Sequence, residues 1–263
     1  MFTAKKTIII TGASSGLGRA LAINYSRSDS NCRLFLFARD VNKLTLVQDI
    51  CNNNGAKATI ISADVRNKQL MAEHIKDIIS KYGVDIVIAC AGVSAGTLGG
   101  METAQQIDEI FATNFNGVQN TILPVIPHMI RQGYGNIVLI SSLAGLIGLS
   151  SAPSYSASKS AVRVFGQALR GYLKKFGVGV SVVIPGYIKT PMTEVNNFPM
   201  PFMISPEKAA EKVIRGIEKD KATIAFPLIM YWLTKSLNLL PDFAFDYINS
   251  KLPGKPAFDK SNM

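Results

Sequence analysis

Short runs of β-branched and aromatic residues alternate with longer helical segments along almost the whole chain. The runs are TIIIT (7–11), RLFLFA (33–38), KATIIS (57–62), VDIVIAC (84–90), GNIVLIS (135–141), GVSVVI (179–184) and ATIAF (222–226). Nearly continuous apolar runs are typical of strands in a parallel sheet that is covered on both faces. The segments between them are long enough for crossover helices. The pattern therefore predicts an α/β fold with a doubly wound parallel sheet of about seven strands and helices on both faces.

We expect the 263 residues to form a single domain, 1–263, around one large core. Their length and their content of 48% hydrophobic and 17% charged residues suit one α/β domain. The strand and helix alternation covers about 5–226. Segment 186–204 is too long for an ordinary connection and is rich in Pro, Met and Phe, so we predict a substrate loop there. Residues 228–263 are predicted to form a short helical C-terminal extension.

The extension is predicted to contain two amphipathic helices separated by Pro241. In the first helix, one apolar face would carry Ile229, Trp232, Leu233, Leu237 and Leu240, with Tyr231, Lys235 and Asn238 opposite. Three roles stay open for this segment. It could cover the mouth of a substrate site, form a subunit contact, or rest on a membrane surface through its basic residues.

Charge and cysteine content exclude several classes of protein. The formal net charge is +10, but the basic residues are scattered and lack the clustered basic and aromatic character of a nucleic-acid groove. Three cysteines without a CxxC pair indicate reduced thiols, and neither His74 nor His128 has metal-ligand spacing. The longest apolar stretch, 224–233, is too short to span a bilayer. We expect a cytoplasmic, metal-free protein, with membrane association as an alternative.

A glycine-rich turn follows the first predicted strand, with Gly12, Gly16 and Gly18 at the start of the first predicted helix. Glycine allows a sharp turn and a close approach of the backbone to a pyrophosphate, and the free N–H groups of a helix start attract negative charge. A plain tight connection between strand and helix is the alternative. The position directly after an N-terminal strand favours a dinucleotide site.

The end of the second predicted strand indicates which dinucleotide is bound. An NAD enzyme usually places a carboxylate there for the ribose hydroxyls, whereas a 2′-phosphate requires a cation. This chain has Ala38 followed by Arg39, which predicts that NADP(H) is preferred, with NAD(H) as the alternative cofactor. Asp40 could favour NAD, but it is also suited to cap a helix beginning near Val41.

With these motifs the chain resembles the short-chain dehydrogenase/reductase family over about 5–226, and a Rossmann-like sheet is implied. The matching segments are TGASSGLG (11–18), SADV (62–65), ATNFNG (112–117), ISS (140–142), YSASK (155–159) and PGYIKTPM (185–192). The resemblance implies cofactor contacts by Gly12, Ser14, Ser15, Gly16, Leu17, Gly18, Arg39, Asp64, Val65, Ala91, Gly92, Tyr155, Lys159, Pro185, Gly186, Ile188 and Thr190. It also implies a homodimer or homotetramer.

One segment departs from the family pattern. The family commonly has Asn-Asn-Ala-Gly after the fourth strand, where this chain has Ala89, Cys90, Ala91 and Gly92. The departure puts the bracing of the central sheet in doubt more than the catalysis. Cys90 is interpreted as a small buried hydrophobic residue rather than a reactive thiol.

Tyr155 and Lys159 are one helical turn apart, so their side chains share a face, and a nearby cation favours the phenolate. An ordinary surface pair is the alternative. The resemblance implies four catalytic residues. Tyr155 would donate the proton, Lys159 would lower the pKa of Tyr155 and hold the nicotinamide ribose, Ser142 would bind the substrate oxygen, and Asn114 would order a water molecule.

The substrate is predicted to be a hydrophobic ketone or alcohol, such as a lipid, acyl or steroid-like compound. An apolar cleft could be lined by Leu143, Leu146, Ile147, Leu149, Phe198, Met200, Phe202 and Met203. The same side chains could instead pack the loop onto the sheet. Two other functions stay open: an NADP-binding regulator or scaffold without catalysis, and a sugar-nucleotide epimerase or dehydratase. The complete set of four catalytic residues favours an enzyme, and the short C-terminal region disfavours the epimerase.

Overall fold

The computed structural model describes residues 5–97, 100–255 and 257. Seven strands form one parallel sheet: β1 (Thr7–Thr11), β2 (Arg33–Ala38), β3 (Lys57–Ser62), β4 (Ile86–Ala89), β5 (Gly135–Ile140), β6 (Val178–Pro185) and β7 (Thr223–Phe226). Their order across the sheet is β3-β2-β1-β4-β5-β6-β7. The order reverses between β1 and β4, which creates a crevice at the carboxyl ends of these strands. The predicted doubly wound, Rossmann-like sheet of about seven strands is confirmed.

The helices are α1 (Gly16–Ser28), α2 (Val41–Asn53), α3 (Lys68–Tyr82), α4 (Ala104–Phe111), α5 (Gly117–Ile122), α6 (Ile126–Gln132), α7 (Pro153–Leu173), α8 (Pro191–Glu194), α9 (Pro206–Glu218), α10 (Leu228–Ser236) and α11 (Asp242–Ser250). Successive strand side chains point to opposite faces of the sheet. In β1, Ile8 and Ile10 pack with α1, α2 and α9, whereas Ile9 packs with α3, α5 and α7. Both faces of the sheet are therefore covered by helices, as the continuous apolar strands predicted.

The predicted substrate loop, 186–204, contains the short helix α8. Its two ends are joined by a parallel bridge between Ile188 and Ile204. Thr190 precedes α8 and exchanges hydrogen bonds with Thr193, so a capping box fixes the start of this helix. The loop therefore has a defined path from the end of β6 to α9.

The C-terminal extension contains two helices, α10 and α11, and Pro241 precedes α11 directly, where the sequence predicts a break. The apolar side chains of α10 divide between two sides of the helix. Ile229, Trp232 and Leu233 are more than half exposed, whereas Met230 and Tyr231 pack against the core. Only Pro227 separates β7 from α10, so the helix begins directly after the last strand. None of the helices in the described residues is long and apolar enough to cross a lipid bilayer.

Candidate active site

A cavity of about 560 Å³ opens at the carboxyl edge of the sheet, beside the crevice between β1 and β4. It brings together most of the predicted cofactor residues, namely Gly12, Ser15, Gly16, Leu17, Gly18, Ala91, Gly92, Pro185, Gly186, Ile188 and Thr190. Ser142, Tyr155 and Lys159 line the same cavity. The glycine-rich turn and the predicted catalytic residues therefore share one space.

The other predicted residues lie outside the cavity lining. Arg39 follows β2 directly, and Asp64 and Val65 follow β3, at the same edge of the sheet as the glycine-rich turn. Ser14 belongs to that turn, and Asn114 is fully buried behind the cavity wall. A dinucleotide that lies along this edge can reach the residues after β2 and β3.

The glycine-rich turn lies against the end of β4. Gly12 has a φ of 68°, and a Cβ atom at this position would be 2.9 Å from the backbone nitrogen and Cα of Ala91. A side chain is therefore excluded by both conformation and contact. This close approach leaves the turn and the N-terminus of α1 open to the cavity, where backbone N–H groups favour an anionic ligand.

Thr11, the last residue of β1, braces the segment in which the sequence departs from the family pattern. Its Oγ1 accepts hydrogen bonds from the backbone N–H groups of Cys90 and Ala91, at 3.1 and 3.3 Å. The two central strands are therefore connected at their carboxyl ends by this hydroxyl. Burial raises the pKa of Cys90 to about 12, so its thiol is not a reactive thiolate at neutral pH.

Arg39 and Asp40 have different roles in the structure. The carboxylate of Asp40 accepts a hydrogen bond from the backbone N–H of Lys43 at 3.0 Å and caps α2, which begins at Val41. That bond, with support from the Lys43 ammonium, lowers the pKa of Asp40. Arg39 is exposed, and no ion pair involves it within the described part of the chain. The Arg39 guanidinium is therefore available to a ligand, whereas the Asp40 carboxylate is engaged in capping α2.

Asp64 is held by Arg66, whose guanidinium nitrogens lie between 2.6 and 3.0 Å from both carboxylate oxygens. Burial raises the pKa of Asp64, but the hydrogen bonds and charge of Arg66 outweigh burial and hold it below its usual value. Arg66 also contacts Glu109 at 2.5 Å, at the end of α4. These contacts fix the carboxylate at the position where the resemblance implies the adenine.

Asn114 lies in a π-helical turn, Ala112–Asn116, between α4 and α5. Its Oδ1 accepts from the backbone N–H of Val93 at 2.8 Å, and its Nδ2 donates to the Val93 carbonyl at 3.0 Å and to Ser158 Oγ at 3.1 Å. Such turns often occur at functional sites. The side chain thus connects the segment after β4 to α7, which carries Tyr155 and Lys159.

Tyr155 and Lys159 lie in the first two turns of α7, with Lys159 Nζ 5.9 Å from the centre of the Tyr155 ring. The Nζ donates to the carbonyl of Ile140 at 3.0 Å, and burial lowers the pKa of Lys159 to about 8. Burial also raises the pKa of Tyr155, and hydrogen bonds from Ser142 and Ser94 only partly oppose it. Burial therefore has the larger effect on Tyr155 in the protein alone, and the lowering of its pKa by Lys159 stays a prediction.

Two residues at this site were missed by the sequence analysis. Lys255, beyond α11, places its Nζ 4.8 Å from the centre of the Tyr155 ring and donates a hydrogen bond to Ser94 Oγ. Burial and the charge of Lys159 lower the pKa of Lys255 to about 8. The one signal in the sequence is the Pro253 and Gly254 pair, which ends the helical pattern and lets the chain turn back.

The remaining cavity wall is largely apolar. Of the side chains predicted to line a cleft, the structure places Leu143, Ile147, Leu149 and Phe198 on the wall. Leu146 packs instead against the core, and Phe202 and Met203 are exposed on the outside of the loop. The C-terminal extension completes the wall with Met230, Leu233, Leu237, Leu252 and Pro253. Of the three roles left open for the extension, covering the mouth of the cavity is the one that these contacts support.

Comparisons with known proteins identify the family of the chain. Residues 6–199 match the family model described as short chain dehydrogenase. The chain is 34% identical over 242 residues to an uncharacterized oxidoreductase of Myxococcus xanthus, covering 92% of this chain and 95% of that protein. It is 32% identical over 256 residues to 11-beta-hydroxysteroid dehydrogenase-like 2 of Arabidopsis thaliana, covering 92% of this chain and 81% of that protein.

Three solved structures share the fold. A short-chain dehydrogenase from Burkholderia phymatum in complex with NAD has a TM-score of 0.81 at 23% identity, covering 98% of this chain and 100% of that one. A short-chain dehydrogenase from Sphingobium yanoikuyae in complex with NADPH has a TM-score of 0.77 at 24% identity, covering 97% of this chain and 99% of that one. The bulky-bulky ketone specific alcohol dehydrogenase from Comamonas testosteroni has a TM-score of 0.78 at 23% identity, covering 95% of this chain and 96% of that one. From the family match and the identity to its relatives, the chain belongs to the short-chain dehydrogenase family and is an oxidoreductase.

Proposed function

We propose that the protein transfers a hydride reversibly between NADP(H) and a carbonyl or alcohol group of a hydrophobic substrate. The observation that carries the proposal is the lining of the cavity. The glycine-rich turn, Ser142, Tyr155 and Lys159 all line it. A dinucleotide bound along this edge would bring its nicotinamide to the three side chains.

The residues present fit a nicotinamide dinucleotide. The start of α1 offers backbone N–H groups to a pyrophosphate, and Lys159 Nζ can hold ribose hydroxyls. A bound nicotinamide supplies the hydride. Ser142 Oγ would donate a hydrogen bond to the substrate oxygen, and Tyr155 Oη would pass its proton to that oxygen as negative charge develops. The ammonium of Lys159 would then stabilise the phenolate, and Asn114 would order a water molecule that returns the proton.

NADP(H) is proposed over NAD(H) because of the different roles of Arg39 and Asp40. The exposed guanidinium can bind a 2′-phosphate through paired hydrogen bonds. Asp40 caps α2 and is therefore less available to ribose hydroxyls than a free carboxylate. Relatives of this fold were solved with either cofactor, NAD in the Burkholderia phymatum protein and NADPH in the Sphingobium yanoikuyae protein.

The proposal of a hydrophobic substrate rests on the apolar cavity wall between the reacting groups and the C-terminal extension. Two relatives are named for substrates of this kind, a bulky ketone and a hydroxysteroid. The cavity of about 560 Å³ would hold part of the dinucleotide as well as the substrate, and much of its remaining lining is apolar. An acyl, aryl or steroid-like ketone would therefore suit this space.

The mechanism is tested with the purified protein, NADPH and a panel of apolar ketones, by following NADPH absorbance. Tyr155→Phe should lower kcat by at least about 100-fold, since a positioned proton donor contributes that much. Tyr172→Phe is the matched control, because Tyr172 lies on the exposed side of the same helix. Turnover of Tyr155→Phe at the rate of the unmodified protein would contradict the proposed mechanism.

Cofactor choice is tested separately by titrating NADPH and NADH against the protein fluorescence. Arg39→Asp should weaken NADPH binding by about 10- to 100-fold, the range of a charge-assisted hydrogen bond, and should affect NADH far less. Arg215→Asp on the exposed side of α9 is the control. Equal losses for both cofactors would remove the argument for NADP(H).

The alternative function is an NADP-binding regulator or scaffold without catalysis. It predicts NADPH binding with no turnover of any ketone or alcohol, which the first experiment distinguishes. A homodimer or homotetramer and peripheral membrane contact stay predictions, to be tested by light scattering and by sedimentation with anionic vesicles.

A further inference from the structure

Lys255 belongs to the C-terminal extension and lies beside the reacting groups. Both its backbone and its side-chain ammonium are held in place. The end of α11 is pinned to the loop before α7, because Asn249 accepts from the N–H of Ser150 at 3.1 Å and donates to the Gly148 carbonyl at 3.0 Å. The backbone at Lys255 then packs on Gly96, where a Cβ atom would be 2.5 Å from the Lys255 carbonyl oxygen. The ammonium is anchored by Ser94 Oγ.

The cavity therefore contains two ammonium groups, on Lys159 and Lys255. Neither forms an ion pair with any residue that the structure describes. A largely buried charge without a counter-ion is unfavourable, and an anionic group on a ligand would relieve this cost. Lys159 has a role in the proposed function, in binding the ribose and stabilising the phenolate. Lys255 has none, although the same cavity wall contains it.

The positions of two serines relate Lys255 to the substrate. Ser142 and Ser94 both act on the phenol of Tyr155 to lower its pKa, so both side chains lie beside it. In the proposed function the reacting oxygen lies between Tyr155 and Ser142. The atoms next to the carbonyl carbon can then extend toward Ser94 and Lys255. Lys255 Nζ lies 4.8 Å from the centre of the Tyr155 ring, so an anion bound there would be close to the carbonyl.

We propose that Lys255 and Ser94 form a subsite for a carboxylate, and that the substrate is an oxo acid with an apolar chain. The carboxylate, on the first or second carbon from the carbonyl, accepts hydrogen bonds from Lys255 Nζ and Ser94 Oγ. The apolar chain of the substrate lies along Leu149, Leu237 and Leu252 on the cavity wall. This inference rests on the proposed function and narrows its substrate class from hydrophobic carbonyl compounds to amphipathic oxo acids.

The test compares 2-oxooctanoate and 3-oxooctanoate with their methyl esters, which keep the ketone and remove the charge. For the unmodified protein with NADPH, kcat/KM should be at least about tenfold higher for one acid than for its ester, as expected for a charge-assisted hydrogen bond. Lys255→Met should lower this ratio at least about tenfold, and Lys255→Arg should keep most of it. Lys251→Met, an exposed lysine four residues earlier, is the control that should leave the ratio unchanged.

NADPH binding and the melting temperature of each variant show that it is folded. Equal kcat/KM for acids and esters in the unmodified protein would overturn the carboxylate subsite. An acid-to-ester ratio that Lys255→Met leaves unchanged would do the same, since Lys255 would then act on the phenol or only close the cavity. Turnover of neutral apolar ketones separates these results from a failure of the proposed function, in which no ketone is reduced at all.

Discussion

Replacing Lys159 by methionine should stabilise the protein and abolish its activity. The Lys159 ammonium is almost fully buried beside the cavity, and burial lowers its pKa from 10.5 to about 8. In the unfolded chain the same group is hydrated and has its ordinary pKa. Folding at neutral pH therefore requires the desolvation of a charge that methionine, of similar length, does not carry.

The size of the effect follows from the pKa. A fall from 10.5 to about 8 corresponds, at about 1.4 kcal/mol for each pH unit, to about 3 kcal/mol of destabilisation at pH 7. Methionine also loses the hydrogen bond from Nζ to the Ile140 carbonyl, which costs about 1 kcal/mol. The expected net gain in the free energy of unfolding is about 2 kcal/mol, or about 5 °C in Tm for a chain of this size.

The pH dependence gives a second measurement. Between about pH 8 and pH 10.5 the unfolded chain binds more protons at this lysine than the folded protein does, so the stability of the unmodified protein rises with pH in this window. Lys159→Met lacks this contribution. The stability advantage of Lys159→Met should therefore be largest below pH 8 and should shrink as the pH approaches 10.5.

The assay is urea unfolding at pH 7 and pH 9.5, with Lys212→Met on the exposed side of α9 as control. Taking differences between variants at each pH cancels the titration of groups that Lys159 does not affect; Lys255, whose pKa the Lys159 charge lowers, contributes to the difference in the same direction. The reasoning would be refuted by a Lys159→Met protein that is less stable at pH 7, or by a stability difference that is the same at both pH values.

Three further substitutions test other parts of the site. Asp40→Ala should lower the urea midpoint by removing the cap of α2 while leaving the ratio of NADPH to NADH affinity unchanged, and Asp40→Asn should restore the midpoint. Thr11→Val should cost about 1 to 3 kcal/mol in urea unfolding, because the N–H groups of Cys90 and Ala91 lose their acceptor, whereas Thr11→Ser should cost less. Asn249→Ala should speed tryptic cleavage of the C-terminal extension about fivefold, for a loss of about 1 kcal/mol in local stability.

The sheet could be predicted from sequence almost residue by residue. Strands buried on both faces appear in the sequence as continuous apolar runs. Glycines, helix caps and polar segments mark where these runs begin and end. The largest difference is at β4, predicted over 84–90 and observed over Ile86–Ala89. Tyr155 and Lys159 could be placed together because a spacing of four residues fixes their geometry on a helix.

The parts that could not be predicted depend on contacts between distant residues. Ser94 and Lys255 are 161 positions apart, and no local pattern relates them. The sequence leaves the contacts of α10 open, because amphipathicity divides the side chains of a helix into faces but does not reveal what each face meets; α10 borders the cavity and leaves Trp232 exposed. The pKa of Tyr155 also depends on burial, which spacing along a helix does not reveal.

The order of the cavity walls along the chain has an evolutionary consequence. Every residue that we assign to cofactor and proton transfer lies at or before Thr190, whereas α10, α11 and the segment carrying Lys255 come after residue 227. The reacting groups belong to the sheet and α7, while the C-terminal extension supplies Lys255 and part of the apolar wall that would contact the substrate. A lineage can therefore exchange its last 36 residues and acquire a different substrate while it inherits the reaction intact.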